Sequence, residues 1–433
     1  MAILKHRLDN GLTVLLKESR HAPVTTFWIW YRVGSRNEVP GITGMAHWAE
    51  HMLFKGSEAF PKGEIDKQIA RNGGVMNGLT WLDFTTFFET LPADRIDLGL
   101  RIEANRMIHA LFDPEEVGLE RTVIISERQG AENEPTFLLN EEVVGAAFRV
   151  HPYHHETLGD MCDLEMITRE DLWRHYQTYY GPNNAIAVAV GDFDAPQMSA
   201  RIEELFEPIP ARSDPPSVSR AEPPQRGERR ANLEGSGTTA YLQAAYHAPA
   251  ASDPDFYPMA VLSTILTGAS GMNLFAPAPP NRSSCLYKAL VGTGLAAGVS
   301  GSFSPTLDPY LYSILATVRT GRSLDQVEAA FDAEMERILH DSISEDELNI
   351  AIKQARAQFA YSSESVTNQG FWFGYSSVVA DAGWFESFLG NLATVTVEDI
   401  HRVANAYLPR RNRTVGHYVP QGLYVKQSFQ GRR

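Results

Sequence analysis

The sequence predicts an α+β protein built from two homologous domains, each a mostly antiparallel sheet with helices packed on one face. Two observations predict this class. The chain has 433 residues, and chains beyond about 250–300 residues usually divide into more than one hydrophobic core. In addition, the segment Ile167–Val190 recurs later as Val395–Val419. Such a duplication predicts two similar domains, which we expect to face each other as two halves of a clamshell.

Both copies of the repeat have the pattern of a capped helix followed by a strand. A threonine precedes each helical pattern and an aspartate follows three residues later, as Thr168 with Asp171 and Thr396 with Asp399. This spacing is typical of a capping box at a helix N-terminus. A short turn and a β-branched run come next in each copy, so we expect a helix followed by a strand in both halves.

A second repeat lies earlier in each half, and a linker separates the halves. Phe84–Leu100 is matched by Leu311–Val327, and both have the alternation of a strand that leads into an amphipathic helix. The stretch 207–230 is rich in proline and charge, which is typical of an exposed linker. The boundaries that we predict are an N-terminal domain at 1–210, a linker at 211–230 and a C-terminal domain at 231–433.

Composition excludes several function classes. The formal net charge of −15 disfavours a nucleic-acid or anionic-membrane surface, because either surface needs a basic patch. A peptide or unfolded protein with cationic stretches is a better substrate for an acidic chain. Cys162 and Cys285 are the two cysteines, which is too few for a disulfide framework or a thiolate metal site.

The start of the chain and its longest uncharged run predict no membrane span. The chain opens on the pattern of a strand pair, Ile3–Lys17, and shows no charged and then apolar leader. The protein is then either cytoplasmic or, as we favour, periplasmic after removal of a leader. Prolines and glycines interrupt the uncharged run Phe256–Asn281, so we predict a loop-rich soluble segment there.

The segment His47–Phe54 contains two histidines and a carboxylate that can form half of a metal site. On a helix, His47 and His51 lie four residues apart and project from the same face, so both rings can bind one Zn²⁺. Glu50 is next to His51 and can act as a general base, in the reverse order of the His-Glu-x-x-His helix. The same pattern also occurs by chance, so a third ligand is required.

A pair of glutamates further along the chain can complete this site. Within Leu119–Pro135, Glu120 and Glu127 are two helical turns apart and so share one helix face. One of them can bind a metal while the other orients a metal ligand. Taken alone, such a pair is more often part of a solvent-exposed helix face.

Four segments together resemble the pitrilysin/insulinase family of zinc metallopeptidases, the inverzincins. These segments are Gly44–Ser57, Gly73–Pro92, Leu119–Pro135 and His151–Gly159, and they occur in the family's order and approximate spacing. The likeness covers essentially the whole chain. It is greatest to the short-chain members, which are similar to mitochondrial processing peptidase and its bacterial relatives.

The resemblance implies a role for each residue of the metal pattern. His47 and His51 are expected to be the histidine ligands of one Zn²⁺ per chain, and Glu127 the third ligand. Glu50 is expected to be the general base that activates water. Glu120 is expected to be the supporting second carboxylate.

The resemblance also implies a strand that binds substrate. Asn77 and Gly78 resemble the edge strand with which the family pairs an extended substrate. The alternating apolar residues nearby fit core packing equally well, since one strand has two faces and an edge. His154 and His155 form a second histidine-rich cluster, which we expect to be structural because neighbours in an extended chain point to opposite faces.

The second half departs from the family pattern at an arginine and a tyrosine. Val291 stands at the arginine position, and Ala297 or Gly298 stands at the tyrosine position. The family's pair holds the substrate and stabilises the oxyanion, and loss of one such donor costs about a hundred- to a thousandfold in rate. The chain is therefore expected to be half of an enzyme.

We accordingly predict a zinc-dependent endopeptidase subunit with a homologous partner subunit that supplies the Arg/Tyr pair, or a second copy of this chain in its absence. The alternative is a noncatalytic structural or peptide-binding homologue with a residual zinc site. The loop Gly268–Ser284 also departs from the family. We interpret it as a tolerated insertion in preference to a lid or a partner contact.

Overall fold

The computed structural model describes residues 3–269, 282–341 and 343–421. Most of the loop Gly268–Ser284 lies outside the described residues. The strands are β1 (Leu4–Arg7), β2 (Thr13–Glu18), β3 (Val24–Tyr31), β4 (Val75–Thr80), β5 (Thr85–Pro92), β6 (Ala185–Gly191), β7 (Arg229–Gly235), β8 (Tyr241–Ala248), β9 (Ala296–Ser302), β10 (Tyr310–Val318) and β11 (Arg413–Pro420). The helices are α1 (Met45–Leu53), α2 (Glu64–Arg71), α3 (Asp97–His109), α4 (Pro114–Glu132), α5 (Pro135–Ala147), α6 (Met161–Met166), α7 (Arg169–Tyr179), α8 (Ala195–Phe206), α9 (Phe256–Thr267), α10 (Leu324–His340), α11 (Glu345–Ser362), α12 (Val366–Val379), α13 (Ala382–Ala393) and α14 (Val397–Tyr407).

The strands form two sheets that share one internal order. The first sheet runs β1-β2-β6-β3-β5-β4 and the second runs β7-β11-β8-β10-β9. In the first sheet β2 and β6 are the parallel pair, and in the second β7 and β11 are; the other neighbours are antiparallel. Without β1, the two orders and pairing senses are identical. The prediction of two homologous, mostly antiparallel α+β domains is confirmed.

The repeated segments form equivalent elements in the two halves. Thr168 caps α7 and Thr396 caps α14, and each forms the expected capping box with the aspartate three residues later. Each helix leads into a central strand of its sheet, β6 or β11. The earlier repeat forms β5 with α3 and β10 with α10. These parts of the prediction are correct because caps and strand alternation are local signals.

The first sheet is covered by helices on both faces, so the prediction of helices on one face is wrong for this sheet. The covering helices come from different halves of the sequence. Phe27 and Ile29 of β3 belong to a core that also contains Trp48 of α1 and Ile202 of α8. Alternate residues point to the opposite face, where the ring of Trp30 lies 5.4 Å from the ring of Phe371 in α12. In the second sheet, β11 packs against α5, which comes from the first half. One helix of each half thus covers the sheet of the other.

This exchange makes the two compact units discontinuous in sequence. The first unit comprises Met1–Gln129, His155–Arg220 and Ser363–Phe385, and the second comprises Gly130–His154, Ala221–Ser362 and Glu386–Arg433. The first unit contains the first sheet and α12, while the second contains the second sheet and α5.

The uncharged run Phe256–Asn281, which we predicted to be rich in loops, begins instead with a buried helix. This helix, α9, spans Phe256–Thr267, and almost all of its residues are buried. Among the described residues, none of the helices has both the length and the apolar content needed to cross a bilayer.

The contact between α12 and β3 generates a prediction about stability. A Cβ atom at Gly374 would lie 1.9 Å from Nε1 of Trp30, so Gly374→Ala forces a shift in a buried interface. We expect this substitution to lower the free energy of unfolding by about 2–3 kcal/mol, as overpacking does in other cores. Urea unfolding of both proteins measures the difference.

Gly390→Ala is the matched control for that prediction. Gly390 lies in α13, and a Cβ there meets no atom within 4 Å. Alanine should therefore be neutral or add up to about 1 kcal/mol through helix propensity. Equal effects of the two substitutions would contradict the close packing of α12 on β3.

Candidate metal centre

Two helices of the first unit bring three metal-binding groups together. His47 and His51 lie on α1 and Glu127 lies on α4, and one ligand atom from each residue lies within 4.8 Å of the other two. Oε2 of Glu127 is 3.7 Å from Nε2 of His47 and 3.6 Å from Nε2 of His51. Ligands at about 2.0–2.2 Å from one zinc ion lie at about such separations from one another.

The donor set fits a catalytic zinc ion. Catalytic sites commonly use three protein ligands of nitrogen and oxygen and keep a fourth position open. Burial, aided by the neighbouring His51, lowers the pKa of His47 to about 3, so this ring is neutral and its nitrogen lone pair is available. The side chain of Glu127 is 43% exposed, which leaves an approach to the site.

A buried carboxylate fixes the tautomer of His51. Oε1 of Glu120 lies 2.8 Å from Nδ1 of His51, and the Glu120 side chain is only 5% exposed. A carboxylate accepts the proton of this nitrogen, which leaves the lone pair on Nε2, the atom nearest Glu127. Lys55 forms an ion pair with the other oxygen of Glu120. Glu120 therefore lies where a supporting carboxylate is expected.

Glu50 is a buried carboxylate beside the metal-binding groups. It lies on α1 and is 8% exposed. Burial raises its pKa to about 7, which is near the value that suits a general base at neutral pH. The hydroxyl of Thr80 on β4 donates a hydrogen bond to Oε2 of Glu50 at 2.5 Å. This bond holds one carboxylate oxygen in place.

The neighbouring strand β4 lies at the edge of the first sheet and approaches Glu50 closely. A Cβ atom at Gly78 would lie 2.8 Å from Oε1 of Glu50 and 2.9 Å from the ring of Phe54, so only glycine fits without displacing them. The Gly78 N–H donates to Oδ1 of Asn77 at 2.9 Å. Asn77 is exposed, and no strand pairs with β4 on its outer side in the described sheet.

The segment that contains His154 and His155 supports α1 at its N-terminal end. The carboxylate of Glu38 accepts hydrogen bonds from the N–H groups of Gly44 at 2.9 Å and Ala46 at 2.7 Å, groups that the start of α1 leaves unpaired. Nε2 of His155 lies 3.0 Å from the same carboxylate. Nδ1 of His154 lies 3.0 Å from the carbonyl oxygen of His151.

Sequence reasoning missed three residues that hold this site. Thr80 ends the same strand as Gly78, so its position two residues beyond the glycine was a usable signal. Lys55 follows His51 by four residues, the spacing of neighbours on a helix face. No local sequence pattern connects Glu38 to α1, because the fold brings the partners of Glu38 to it.

The positions that depart from the family pattern lie in the second unit. Val291 ends a π-helical turn, Tyr287–Val291, that precedes β9. Val291 is half-buried and Ala297 is exposed. A Cβ atom at Gly298 would meet no atom within 4 Å. None of the three residues has a side-chain donor, but both strand positions have room for a larger side chain.

Two protein-family models match the chain. The model for insulinase (peptidase family M16) matches residues 13–161, and the model for the peptidase M16 inactive domain matches residues 166–355. The first match contains the three metal-binding residues and Glu50. The second contains Val291 and the two positions on β9.

Known proteins match over nearly the full length. The zinc protease PqqE of Helicobacter pylori is 28% identical over 419 residues, which cover 95% of this chain and 92% of that protein. The mitochondrial-processing peptidase subunit beta of Lentinula edodes is 24% identical over 93% of this chain and 86% of that protein. The crystal structure of a protease from Helicobacter pylori matches 97% of this chain and 99% of that chain, with a TM-score of 0.91 and 27% identity.

The buried pair at the start of α1 generates a prediction about stability. The side chains of His155 and Glu38 are 4% and 1% exposed. His155→Ala leaves a buried carboxylate without its charged partner, which we expect to lower the free energy of unfolding by about 3–5 kcal/mol. His109→Ala is the control, because the pair of His109 with Glu58 is exposed and should contribute about 1 kcal/mol or less.

The same comparison has a defined pH dependence. Burial favours the neutral ring, but the hydrogen bond and charge of Glu38 outweigh it and raise the pKa of His155 above its ordinary value. The stabilisation from the pair is therefore complete below the ordinary histidine pKa and is lost as pH rises through the raised value. The difference in the free energy of unfolding between wild type and His155→Ala should therefore narrow as the pH rises above the ordinary histidine pKa. A difference that widens with rising pH would contradict the pairing.

Proposed function

We propose, from the premise that this chain belongs to the insulinase family of peptidases, family M16, that it is a zinc-dependent endopeptidase subunit. Its substrates are peptides or unfolded protein segments. The observation that carries this proposal is the approach of His47, His51 and Glu127 to within 4.8 Å, beside the buried carboxylate of Glu50. The relatives named zinc protease and processing peptidase support it.

His47, His51 and Glu127 would hold one zinc ion per chain, through Nε2 of each histidine and a carboxylate oxygen of the glutamate. A bound zinc ion supplies Lewis acidity that polarises a peptide carbonyl and makes water a better nucleophile. The hydrogen bond from Nδ1 of His51 to Glu120 places the ring proton on Nδ1 and orients the ring, so that Nε2 is the nitrogen available to the metal.

Glu50 is the general base in this proposal. It takes the proton of the attacking water on a carboxylate oxygen and later delivers it to the leaving amine, a cycle that a pKa of about 7 permits. Thr80 occupies Oε2, so Oε1, the oxygen beside Gly78, is the one that accepts the proton.

The open edge of β4 is the proposed substrate-binding strand. An extended peptide can add to an exposed sheet edge through main-chain hydrogen bonds. Asn77 and Gly78 lie on this edge, next to the general base. A peptide paired there would have its backbone amides beside the metal-binding residues.

A homologous partner subunit completes the proposed enzyme. The side chains of Val291, Ala297 and Gly298 cannot donate the hydrogen bonds that stabilise an oxyanion, and such bonds are worth about a hundred- to a thousandfold each in rate. A partner that supplies an arginine and a tyrosine restores them. In its absence the chain pairs with a second copy of itself, which lacks the same donors. The description of the second family model as an inactive domain and the subunit name of one relative support this arrangement.

A noncatalytic homologue with a zinc site is the second candidate. The same inactive-domain description favours it. The two candidates differ in turnover when the partner is present, because the noncatalytic protein binds zinc and peptide without cleaving it.

Zinc content separates the metal proposal from the activity. We expect about one zinc per purified chain, since the described residues contain one set of ligands. Glu127→Ala should weaken zinc binding by more than about a hundredfold, because even second-sphere changes cost about 10–100-fold. Glu50→Gln should keep zinc and, when assayed together with the partner subunit, lower turnover by about a hundredfold or more. Atomic absorption and a fluorogenic peptide assay measure these effects.

Glu115→Ala is the control on the same helix as Glu127. Glu115 is exposed in the first turn of α4, so zinc content and turnover should be unchanged. Full zinc content in Glu127→Ala would contradict the ligand assignment. Loss of zinc in Glu50→Gln would make Glu50 a ligand and not the base.

The partner requirement predicts that donors added to this chain raise its activity. The chain alone should cleave peptides near the background rate, and Val291→Arg combined with Ala297→Tyr should raise that rate by about a hundredfold or more if each donor acts as in other oxyanion sites. Val291→Arg with Gly298→Tyr tests the other strand face. Full activity of the unmodified chain alone would refute the partner requirement.

A further inference from the structure

The second unit contains a cavity of about 440 Å³ that the proposed peptidase function does not use. We call it the linker cavity, because residues 221–225 of the segment between the halves form one wall. The other walls come from His247 to Pro249 at the end of β8, from Asp308 and Pro309 before β10, and from the end of α14. A volume of this size is within the range of small-ligand sites, about 300–1,000 Å³.

Three polar side chains of this cavity, those of His247, Tyr407 and Asn412, use their donors within the protein. Nε2 of His247 lies 3.0 Å from the carbonyl oxygen of Ala147 and so carries the proton that this oxygen accepts. Nδ2 of Asn412 donates to the carbonyl oxygens of His247 at 2.9 Å and Tyr407 at 2.7 Å. The hydroxyl of Tyr407 donates to Asp255 at 3.1 Å.

These bonds leave acceptors on the same side chains. Burial lowers the pKa of His247, so its ring is neutral and Nδ1 keeps a lone pair. The amide of Asn412 cannot be reversed, because reversal would place its oxygen against two carbonyl oxygens; its Oδ1 therefore remains the acceptor.

The backbone of the walls adds few donors. Pro223, Pro224, Pro249 and Pro309 line the cavity, and proline has no N–H group. The N–H groups of Arg149, Val150 and His151 all donate to the carboxylate of Glu222, which is itself a lining residue. The cavity thus combines apolar proline surfaces with an excess of acceptors.

The side chains that line the cavity carry more negative than positive charge. Like the excess of acceptors, this favours a cationic hydrogen-bond donor as the ligand. Three carboxylates, those of Glu222, Asp253 and Asp308, line the cavity together with one guanidinium, that of Arg411. Nε2 of His151 lies 3.1 Å from Oδ2 of Asp308 and donates to it, because Nδ1 of the same ring accepts from the N–H of Tyr153. A cationic group that donates hydrogen bonds and has an apolar body complements both features.

We propose that the linker cavity binds a primary ammonium or guanidinium group attached to an apolar body. The cation lies against Asp253 and the acceptors of His247 and Asn412, and the apolar body lies on the prolines. This group can belong to a free amine or to a basic side chain of a peptide.

The test uses three probes of equal length on the purified full chain. Isothermal titration should show that 4-phenylbutylamine binds about tenfold or more tightly than 4-phenylbutanol, because a desolvated charge pair is worth at least about 1.4 kcal/mol. The anion 4-phenylbutyrate should not bind measurably. The peptide acetyl-Pro-Lys-Pro-amide is the second arm: tighter binding of the peptide identifies a basic side chain as the source of the cation, and tighter binding of the amine identifies a free ligand.

Variants locate the binding within the cavity. Asp253→Asn should weaken amine binding by about five- to tenfold, since one charge partner is lost. Ala406 lines the cavity and is exposed, so Ala406→Lys can place its own ammonium there and should abolish binding of the probe. Asn405→Lys makes the same charge change at an exposed neighbour outside the lining, and it should leave binding unchanged.

Three results would overturn the proposal. They are equal affinities for the amine and the alcohol, full binding by Ala406→Lys, and equal losses in Ala406→Lys and Asn405→Lys. Circular dichroism of each variant confirms that the fold is retained. Peptide cleavage is not a readout here, so failure of this proposal is distinct from failure of the proposed peptidase function.

Discussion

The contact between His51 and Glu120 is the constraint on which the rest of the candidate site depends. It joins α1 to α4, two helices that share no local sequence pattern, through a bond of 2.8 Å between the half-buried ring of His51 and the buried carboxylate of Glu120. The same α4 that supplies Glu120 supplies Glu127 two turns later. Fixing one glutamate against His51 therefore fixes the position of the other relative to both histidines.

The position of the edge strand β4 depends on α1 as well. Glu50 is on α1 one residue before His51, so the orientation of the helix also sets the position of this carboxylate. Thr80 and Gly78 then adapt β4 to it, one with a hydroxyl at hydrogen-bond distance and the other by the absence of a side chain. A larger residue at position 78 would push the strand away from the carboxylate, and the open sheet edge would no longer lie beside the metal-binding groups.

Local signals predicted much of the fold but not the exchange of helices between the halves. The capping boxes at Thr168 and Thr396 and the two strand-to-helix repeats depend on neighbours in sequence, so they could be predicted. The packing of α12 on β3 depends on Trp30 meeting Gly374 from the other half. Two buried apolar surfaces of this kind can pair in several ways, and a single sequence does not distinguish among them.

The candidate site shows the same division between local and tertiary information. The spacing of His47, Glu50 and His51 was readable because a helix converts spacing into a shared face. Glu38 was not, since it acts on α1 from a segment that only folding brings near, whereas the position of Thr80 two residues beyond Gly78 was a usable signal. The capping of α1 by Glu38 also gives the segment with His154 and His155 a structural role at the candidate metal site that does not involve metal binding. His155 pairs with the buried carboxylate of Glu38, which caps the first turn of α1. The positions of His47 and His51 therefore depend indirectly on His155.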